Sequence, residues 1–260
     1  MSQLNSIAST EQIRSTPSRV DGISAELEED LRNFGCELIQ SAGILLKLPQ
    51  VAMATAQVLL QRFFYMASLK EFGVVEIGMG ALFLASKLEE SFAKLTNITM
   101  VYDHLLRRCQ EKPTYPPLDG FSQRAYDLKN MLITGEMQIL KKLGFHVHVQ
   151  LPYGLTVNYL RILDLEEDEK VAGRAWNYLN DGLRSIVYAV YQPNVVACAA
   201  IWLACRDTGV KLPANWYKLF DASTEDFESA AGHIKRLYYR KLKRRELPLD
   251  AQEMQRWLAK

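Results

Sequence analysis

The chain has 260 residues, 48% of them hydrophobic and 23% charged, with a formal net charge of +1. That is enough apolar material for two ordinary domains with their own cores, and a near-neutral balance argues against dominant binding to a phosphate backbone, which needs a strongly basic face. The longest apolar run, VVACAAIWLAC at 195–205, is too short to span a bilayer.

Residues 1–22 are polar and rich in Ser and Thr, with no apolar h-region, and read as a disordered tail. Thr16-Pro17 has the form of a proline-directed phosphorylation site, although a plain polar tail accounts for it more simply. From there the pattern is helical. Leu27, Leu31, Phe34, Leu38, Ala42 and Leu45 recur at steps of three or four, one face of an amphipathic helix. Pro49 opens a second helix that runs through VAMATAQVLLQRFFYMAS, at a position where its missing N–H costs nothing. A third, over 74–90, contains ALFLASKLEE. Asn97 is placed to cap a fourth, ITMVYDHLLRRCQ, which the prolines of EKPTYPPLDG terminate. A fifth spans 122–143; Lys141 and Lys142 complement its dipole and Gly144 can take the left-handed cap. FHVHVQL, 145–151, alternates briefly between a helix-ending glycine and Pro152, and reads as an extended linker. Helices follow over 153–164, 167–184, 192–207, 213–220 and 224–244, with Pro193 and Pro213 near starts and Thr224 as an N-cap.

The two halves share a pattern. ALFLASK (81–87) aligns with AIWLACR (200–206) residue by residue, and Gly78 and Gly80 align with Ala197 and Ala199. Each half therefore has a third helix that is apolar or small nearly all round, which must be enclosed by the others. The expected fold is all-α: two tandem five-helix bundles, each built around its third helix. The boundaries read as a tail over 1–22, a first bundle over 23–149, a second over 150–246 and a C-terminal segment over 247–260.

The chemistry of an enzyme is missing. There is no Gly-rich phosphate loop, GxSxG, HExxH or kinase catalytic-loop pattern. The histidines His104, His146, His148 and His233 are scattered. Cys36, Cys109, Cys198 and Cys205 form no CxxC and no zinc spacing, so they read as reduced core thiols. No metal, cofactor or small-molecule ligand is expected. The basic run Lys235, Arg236, Arg240, Lys241, Lys243, Arg244 and Arg245 stands out. It reads either as a solvated helix face or as a contact for nucleic acid, an acidic partner or a nuclear-import receptor.

On a helix Leu84, Lys87 and Leu88 share a face, and so do Glu136 and Leu140. Phe145 and Val147 project from the linker, and Gly135 permits another helix to come close. If the third and fifth helices end near each other, Lys87 and Glu136 can pair inside an apolar rim. That arrangement is either an anchor for a partner helix or an ordinary salt bridge within the bundle. Glu89 reads as solvated or capping its turn, and Glu90 as a rim contact.

These residues resemble a known family. LASKLEE, followed some fifty residues later by GEMQILKKLGFHVHV, is similar to the cyclin box, and TPSRVDGI, LRNFGCELIQSAGILLKLPQVAMATAQVLLQRFFY and AWNYLNDGLRS resemble the L-type cyclins over 15–245. The resemblance implies a regulatory subunit, not itself an enzyme, that activates a cyclin-dependent protein kinase in RNA polymerase II transcription and pre-mRNA splicing. It implies that Lys87 and Glu136 bond the kinase's activating helix, with Leu84, Leu88, Glu90, Leu140, Phe145 and Val147 around them. It further implies a nuclear location, splicing or transcription factors as additional partners, no membrane, and little or no nucleic-acid binding. L-type cyclins often carry a long Arg/Ser-rich tail, and no such repeat stands before Lys260. EEDLRNFGCELIQ lacks the Met-Arg-Ala-Ile-Leu substrate-docking patch of cell-cycle cyclins. Two other readings share this fold pattern. One is a nucleic-acid-binding module of the general transcription factor type, which usually has a zinc ribbon and a basic surface. The other is a helical scaffold with no kinase, in which Lys87 and Glu136 have no special role.

Overall fold

The computed structural model describes residues 8–109 and 116–239. Among these residues are twelve α-helices, one 3-10 segment and no strand, so the all-α expectation holds. They fall into two compact units, one spanning Ser9–Val147 and the other beginning at His148.

The first unit contains α1 (Thr10–Arg14), α2 (Pro17–Val20), α3 (Ala25–Leu45), α4 (Gln50–Phe63), α5 (Val74–Leu88), α6 (Leu95–Cys109) and α7 (Gln123–Lys142). The third of the five long helices, α5, packs against α3, α4, α6 and α7, as an all-round apolar helix must. Ile77, Met79, Ala81, Leu82 and Ala85 along it are completely buried. Each large aliphatic among them contributes roughly 1.5–3 kcal/mol relative to exposure.

The supposed disordered tail is folded from Ser9 onward, which corrects the reading of 1–22 for the residues described. Ser9 caps α1 in a reciprocal capping box with Gln12, and Thr16 caps α2 with Pro17 at its first position. The segment is held by polar bonds to the bundle rather than by an apolar face, so periodicity could not reveal it. The Thr16 hydroxyl donates to Glu28 Oε2 at 2.9 Å, and the Leu69 amide donates to Ser18 Oγ at 3.0 Å. Three helix starts also differ from expectation: Thr224, expected to cap its helix, is instead the first helical residue, and Ser223 ahead of it accepts from the Asp226 amide at 3.1 Å. Asn97 lies inside α6, which begins at Leu95, and Pro49 is the N-cap of α4 rather than its first helical residue.

The second unit contains α8 (Tyr153–Ile162), α9 (Glu169–Gly182), α10 (Val187–Val190), α11 (Pro193–Thr208), the 3-10 segment Trp216–Phe220 and α12 (Thr224–Tyr239). Its centre is α11, packed against α8, α9, α10, α12 and the 3-10 segment. The helix expected over 213–220 is only this 3-10 turn. Asn215 and Asp221, both left-handed (φ 58° and 51°), bracket it and prevent extension. The short α10 was not foreseen. Within 145–151 there is no helix or strand, but the segment expected to be extended begins with a turn: Phe145 is left-handed (φ 62°), and the His146 and Val147 amides donate to the Leu143 and Phe145 carbonyls.

Candidate partner-binding site

The site is built where α5 crosses α7 and, two turns later, ends. Their crossing is glycine on glycine. A Cβ on Gly80 would lie 2.4 Å from the Glu136 amide nitrogen, and one on Gly135 would lie 2.5 Å from the Glu76 carbonyl oxygen. Backbone therefore meets backbone. That brings Lys87, two turns further along α5, to Glu136: Lys87 Nζ donates to Glu136 Oε1 at 2.6 Å. The same ammonium sits 4.0 Å from the centre of the Phe83 ring, one turn back on α5. The Lys87 side chain is 40% and Glu136 14% exposed; with its cation open to solvent the ion pair contributes only about 0–1 kcal/mol to folding.

Both helices end in the same way. Beyond α5, the Glu90 amide donates to the Lys87 carbonyl and the Ser91 amide to the Ser86 carbonyl. Beyond α7, the Gly144 amide donates to the Lys141 carbonyl and the Phe145 amide to the Leu140 carbonyl. These are paired Schellman closures. Gly144 takes the left-handed position at φ 56°, as expected, whereas α5 places Glu90 there at φ 52°. In the second unit the aligned residue is Gly209, left-handed at φ 76°. The repeat extends to side chains as well: Arg206 stacks 4.7 Å over the Trp202 ring, as Lys87 does over Phe83.

Leu88 is 41% and Phe145 73% exposed, Glu90 is exposed, and Leu140 and Val147 are half-buried. Leu84 differs: at 5% exposure it belongs to the core and not to a rim. Lys87 lies one turn later on the exposed side, so helical spacing alone could not separate the two. Glu89 caps its turn, as one of the two expectations had it, as the C-cap of α5, and its half-buried carboxylate also accepts from Thr55 Oγ1 on α4 at 2.7 Å. Sequence reasoning missed three residues here. Phe83 was signalled by its spacing of four from Lys87. Phe92, just past α5, and Met137, beside Glu136, are large and exposed.

The basic run is divided. Arg240, Lys241, Lys243, Arg244 and Arg245 lie outside the described residues. Arg236 is exposed. Lys235 is not available to a ligand in any simple way, because its ammonium bonds Asp207 Oδ1 at 3.3 Å. Asp207 also accepts from the Tyr178 hydroxyl and pairs with Arg174 at 3.5 Å. Burial opposes ionisation of Asp207, but the bonds from Tyr178 and Lys235 and the two cations outweigh it and hold its carboxyl below the ordinary 3.8. Burial likewise opposes the charge on Lys235, and Asp207 and Tyr178 outweigh it to raise its pKa. A carboxyl with a lowered folded pKa stabilises above its unfolded pKa, and that contribution is lost as pH falls through the folded value. Asp207→Asn is therefore expected to lower the melting temperature at neutral pH by a few degrees (about 1 kcal/mol) and to make little difference near pH 2. Circular-dichroism melts across that range test it, and an equal loss at both pH values would show the ion cluster to be irrelevant.

Among the described residues, no group of three or more His, Cys, Asp or Glu could hold a metal ion, and no helix is long and apolar enough to cross a membrane. What the first unit offers is a cation–carboxylate pair where the end of α5 is locked against α7, with exposed apolar side chains beside it. This is a candidate protein-binding face on an all-α chain of two units, each wound round a buried central helix. Residues 3–148 match the model of the cyclin N-terminal domain. Cyclin-L2 of Mus musculus is 43% identical over 239 residues, 91% of this chain and 46% of that protein. Cyclin-L1 of Danio rerio is 42% identical over 238 residues, 91% of this chain and 47% of that protein. Among solved structures, a chain of the yeast RNA polymerase II CTD kinase CTDK-1 complex matches with TM-score 0.74 and 18% identity, over 98% of this chain and 82% of that one. A chain of the yeast TFIIK complex matches with TM-score 0.60 and 18% identity, over 88% and 95%. The chain belongs to the cyclin family, and its similarity is to the L-type cyclins. It spans slightly less than half the length of these curated relatives.

Proposed function

We propose that the chain is the regulatory subunit of a cyclin-dependent protein kinase acting in RNA polymerase II transcription and pre-mRNA splicing in the nucleus. The observation that carries this reading is the Lys87–Glu136 pair where the end of α5 meets α7, its ammonium 40% and its carboxylate 14% exposed. The solved cyclin-fold neighbours come from complexes named as a polymerase CTD kinase and as TFIIK, which supports the transcriptional assignment. The similarity to L-type cyclins supports the splicing assignment, with splicing or transcription factors as further partners.

The mechanism is allosteric. A rigid helical face that binds the kinase's active conformation more tightly than its inactive one shifts that equilibrium, and the chain supplies no reacting group. Lys87 and Glu136 present one cation and one anion to the polar groups of the kinase's mobile helix, while Leu88, Leu140, Phe145 and Val147 cover its apolar face. Raising the active fraction from about 1% to about 99% requires roughly 5.5 kcal/mol of differential binding. An interface of about 1,600 Å² supplies it without strain.

The test is to mix the chain with a purified transcription-linked cyclin-dependent kinase catalytic subunit. Capture of the kinase and the rate of phosphorylation of an RNA polymerase II C-terminal repeat peptide are then measured. The expected result is a stable heterodimer and a rate gain of about a hundredfold. Absence of capture across the transcription-linked kinases would refute the reading.

A further inference from the structure

The segment ahead of α3 is fastened at Thr16. This residue is completely buried (0% exposed), and its hydroxyl donates to Glu28, itself 1% exposed. Thr16 Oγ1 also accepts from the Arg19 amide at 3.3 Å, so both roles of the hydroxyl are in use. Glu28 Oε2 takes Arg19 Nε at 2.8 Å, and Glu28 Oε1 takes Arg32 Nη1 at 3.3 Å. Arg32 is fully committed: its Nε donates to Gln61 Oε1 at 2.7 Å, its Nη2 to the Gln61 carbonyl at 3.0 Å, and its guanidinium lies 4.3 Å over Tyr65. Apart from this knot, the segment is tied through Ser18 to the Leu69 amide, through Gln12 to Met66 Sδ at 3.0 Å, and through the Asp21 carbonyl to Lys70. Pro17 follows Thr16 immediately.

We infer that Thr16 is a phosphorylation site whose modification releases the segment Ser9–Gly22 from the bundle. A proline-directed protein kinase transfers the γ-phosphoryl group of ATP to Thr16 Oγ1. The new P–O bond forms as the bond to the β,γ-bridging oxygen breaks, ADP leaves, and the hydroxyl proton passes to the kinase's base. The product has lost the donor that Glu28 accepts. It brings close to two negative charges to within about 3 Å of a buried carboxylate. Arg32 cannot turn to meet them, because it is held by Gln61. Arg19 alone cannot neutralise both the phosphate and Glu28. The docked state therefore excludes phosphothreonine, and the undocked state is what a proline-directed kinase can reach. Docking and modification oppose each other at one oxygen atom. This inference does not depend on which partner the chain activates.

The experiment uses the full chain, ATP and a purified proline-directed protein kinase. Mass spectrometry follows phosphate on Thr16, and limited trypsin digestion follows cleavage after Arg14 and Arg19. The phosphorylated chain is expected to be cut at those two sites at least about tenfold faster than the unmodified chain, the change that loss of one buried charge-assisted bond brings. Cleavage within 25–109 is expected to be unchanged. Ser18→Ala and Glu28→Gln should each speed phosphorylation of Thr16 over wild type by loosening the docked state, and Ser18→Ala leaves the knot of charges intact. Protection of Arg14 and Arg19 that survives phosphorylation would show that Arg19 and Arg32 accommodate the phosphate, and would overturn the inference. So would failure of Thr16 to accept phosphate in both variants.

Discussion

Lys87→Glu is expected to weaken binding of the cyclin-dependent kinase catalytic subunit by at least about a hundredfold, the effect of replacing an attraction by a repulsion at a desolvated charge contact. Glu136→Lys is expected to do the same. Neither should move the melting temperature by more than about 3 °C, because a pair whose ammonium is 40% exposed contributes about 0–1 kcal/mol to folding. The informative variant is the double swap, Lys87→Glu with Glu136→Lys. It restores an ion pair of the same length between α5 and α7 but turns its polarity around. If the pair is only a strut within the bundle, the swap recovers everything the single changes lose. If the pair faces a partner, the swap stays defective, since the partner's helix still meets a carboxylate where it needs an ammonium. An ammonium has three donors, and Glu136 uses one of Lys87's. Titration calorimetry with the kinase subunit, beside a thermal melt of each variant, separates the two outcomes. Recovery of binding in the double swap would sink the anchor assignment.

How much of this was legible beforehand depends on what kind of force holds each part. The two central helices were plain in the sequence because burial on all sides leaves an uninterrupted apolar or small run, and the same run occurs twice. The end of α7 was equally plain, since Gly144 announces a left-handed cap. The end of α5 was not, because Glu90 occupies the position that Gly209 fills in the second unit. A non-glycine residue there costs of order 1 kcal/mol per site and leaves no compositional mark. The placement of Leu84 required the neighbouring helices, since a spacing of three from Lys87 fits core and rim alike. The folded segment Ser9–Gly22 was hidden for another reason: its bonds run from Thr16 to Glu28 and from Ser18 to Leu69, polar pairs distant in sequence that no helical period can encode. Lys235 likewise read as one member of a basic run, and only the fold brings Asp207 to it, 28 residues away.

Gly80→Ala and Gly135→Ala are expected to be the most damaging single-methyl changes in the first unit. The added carbon would lie 2.4 Å from the Glu136 nitrogen in the first case and 2.5 Å from the Glu76 oxygen in the second. Both obstacles are backbone, so no side chain can turn aside, and α5 and α7 must separate. Overpacking of this kind costs about 1–3 kcal/mol, which corresponds to a fall of up to about 10 °C in the melting temperature. Helix propensity pulls the other way, since alanine is favoured over glycine by roughly 1 kcal/mol in a helix interior. Gly78→Ala calibrates the balance: its carbon meets the Tyr102 hydroxyl at 3.4 Å and Ile39 Cγ1 at 3.9 Å, ordinary contacts, so propensity should prevail and stability should hold or rise. The order Gly78→Ala above wild type or equal to it, with Gly80→Ala and Gly135→Ala well below, is what a backbone-on-backbone crossing requires. The same separation would carry Glu136 away from Lys87, so kinase affinity should fall even at temperatures where the variants remain folded. Thermal melts rank the three variants, and binding measured well below each melting temperature isolates the second effect. A Gly80→Ala variant as stable as Gly78→Ala, and as tight for the kinase as wild type, would mean that the close crossing does not position the pair.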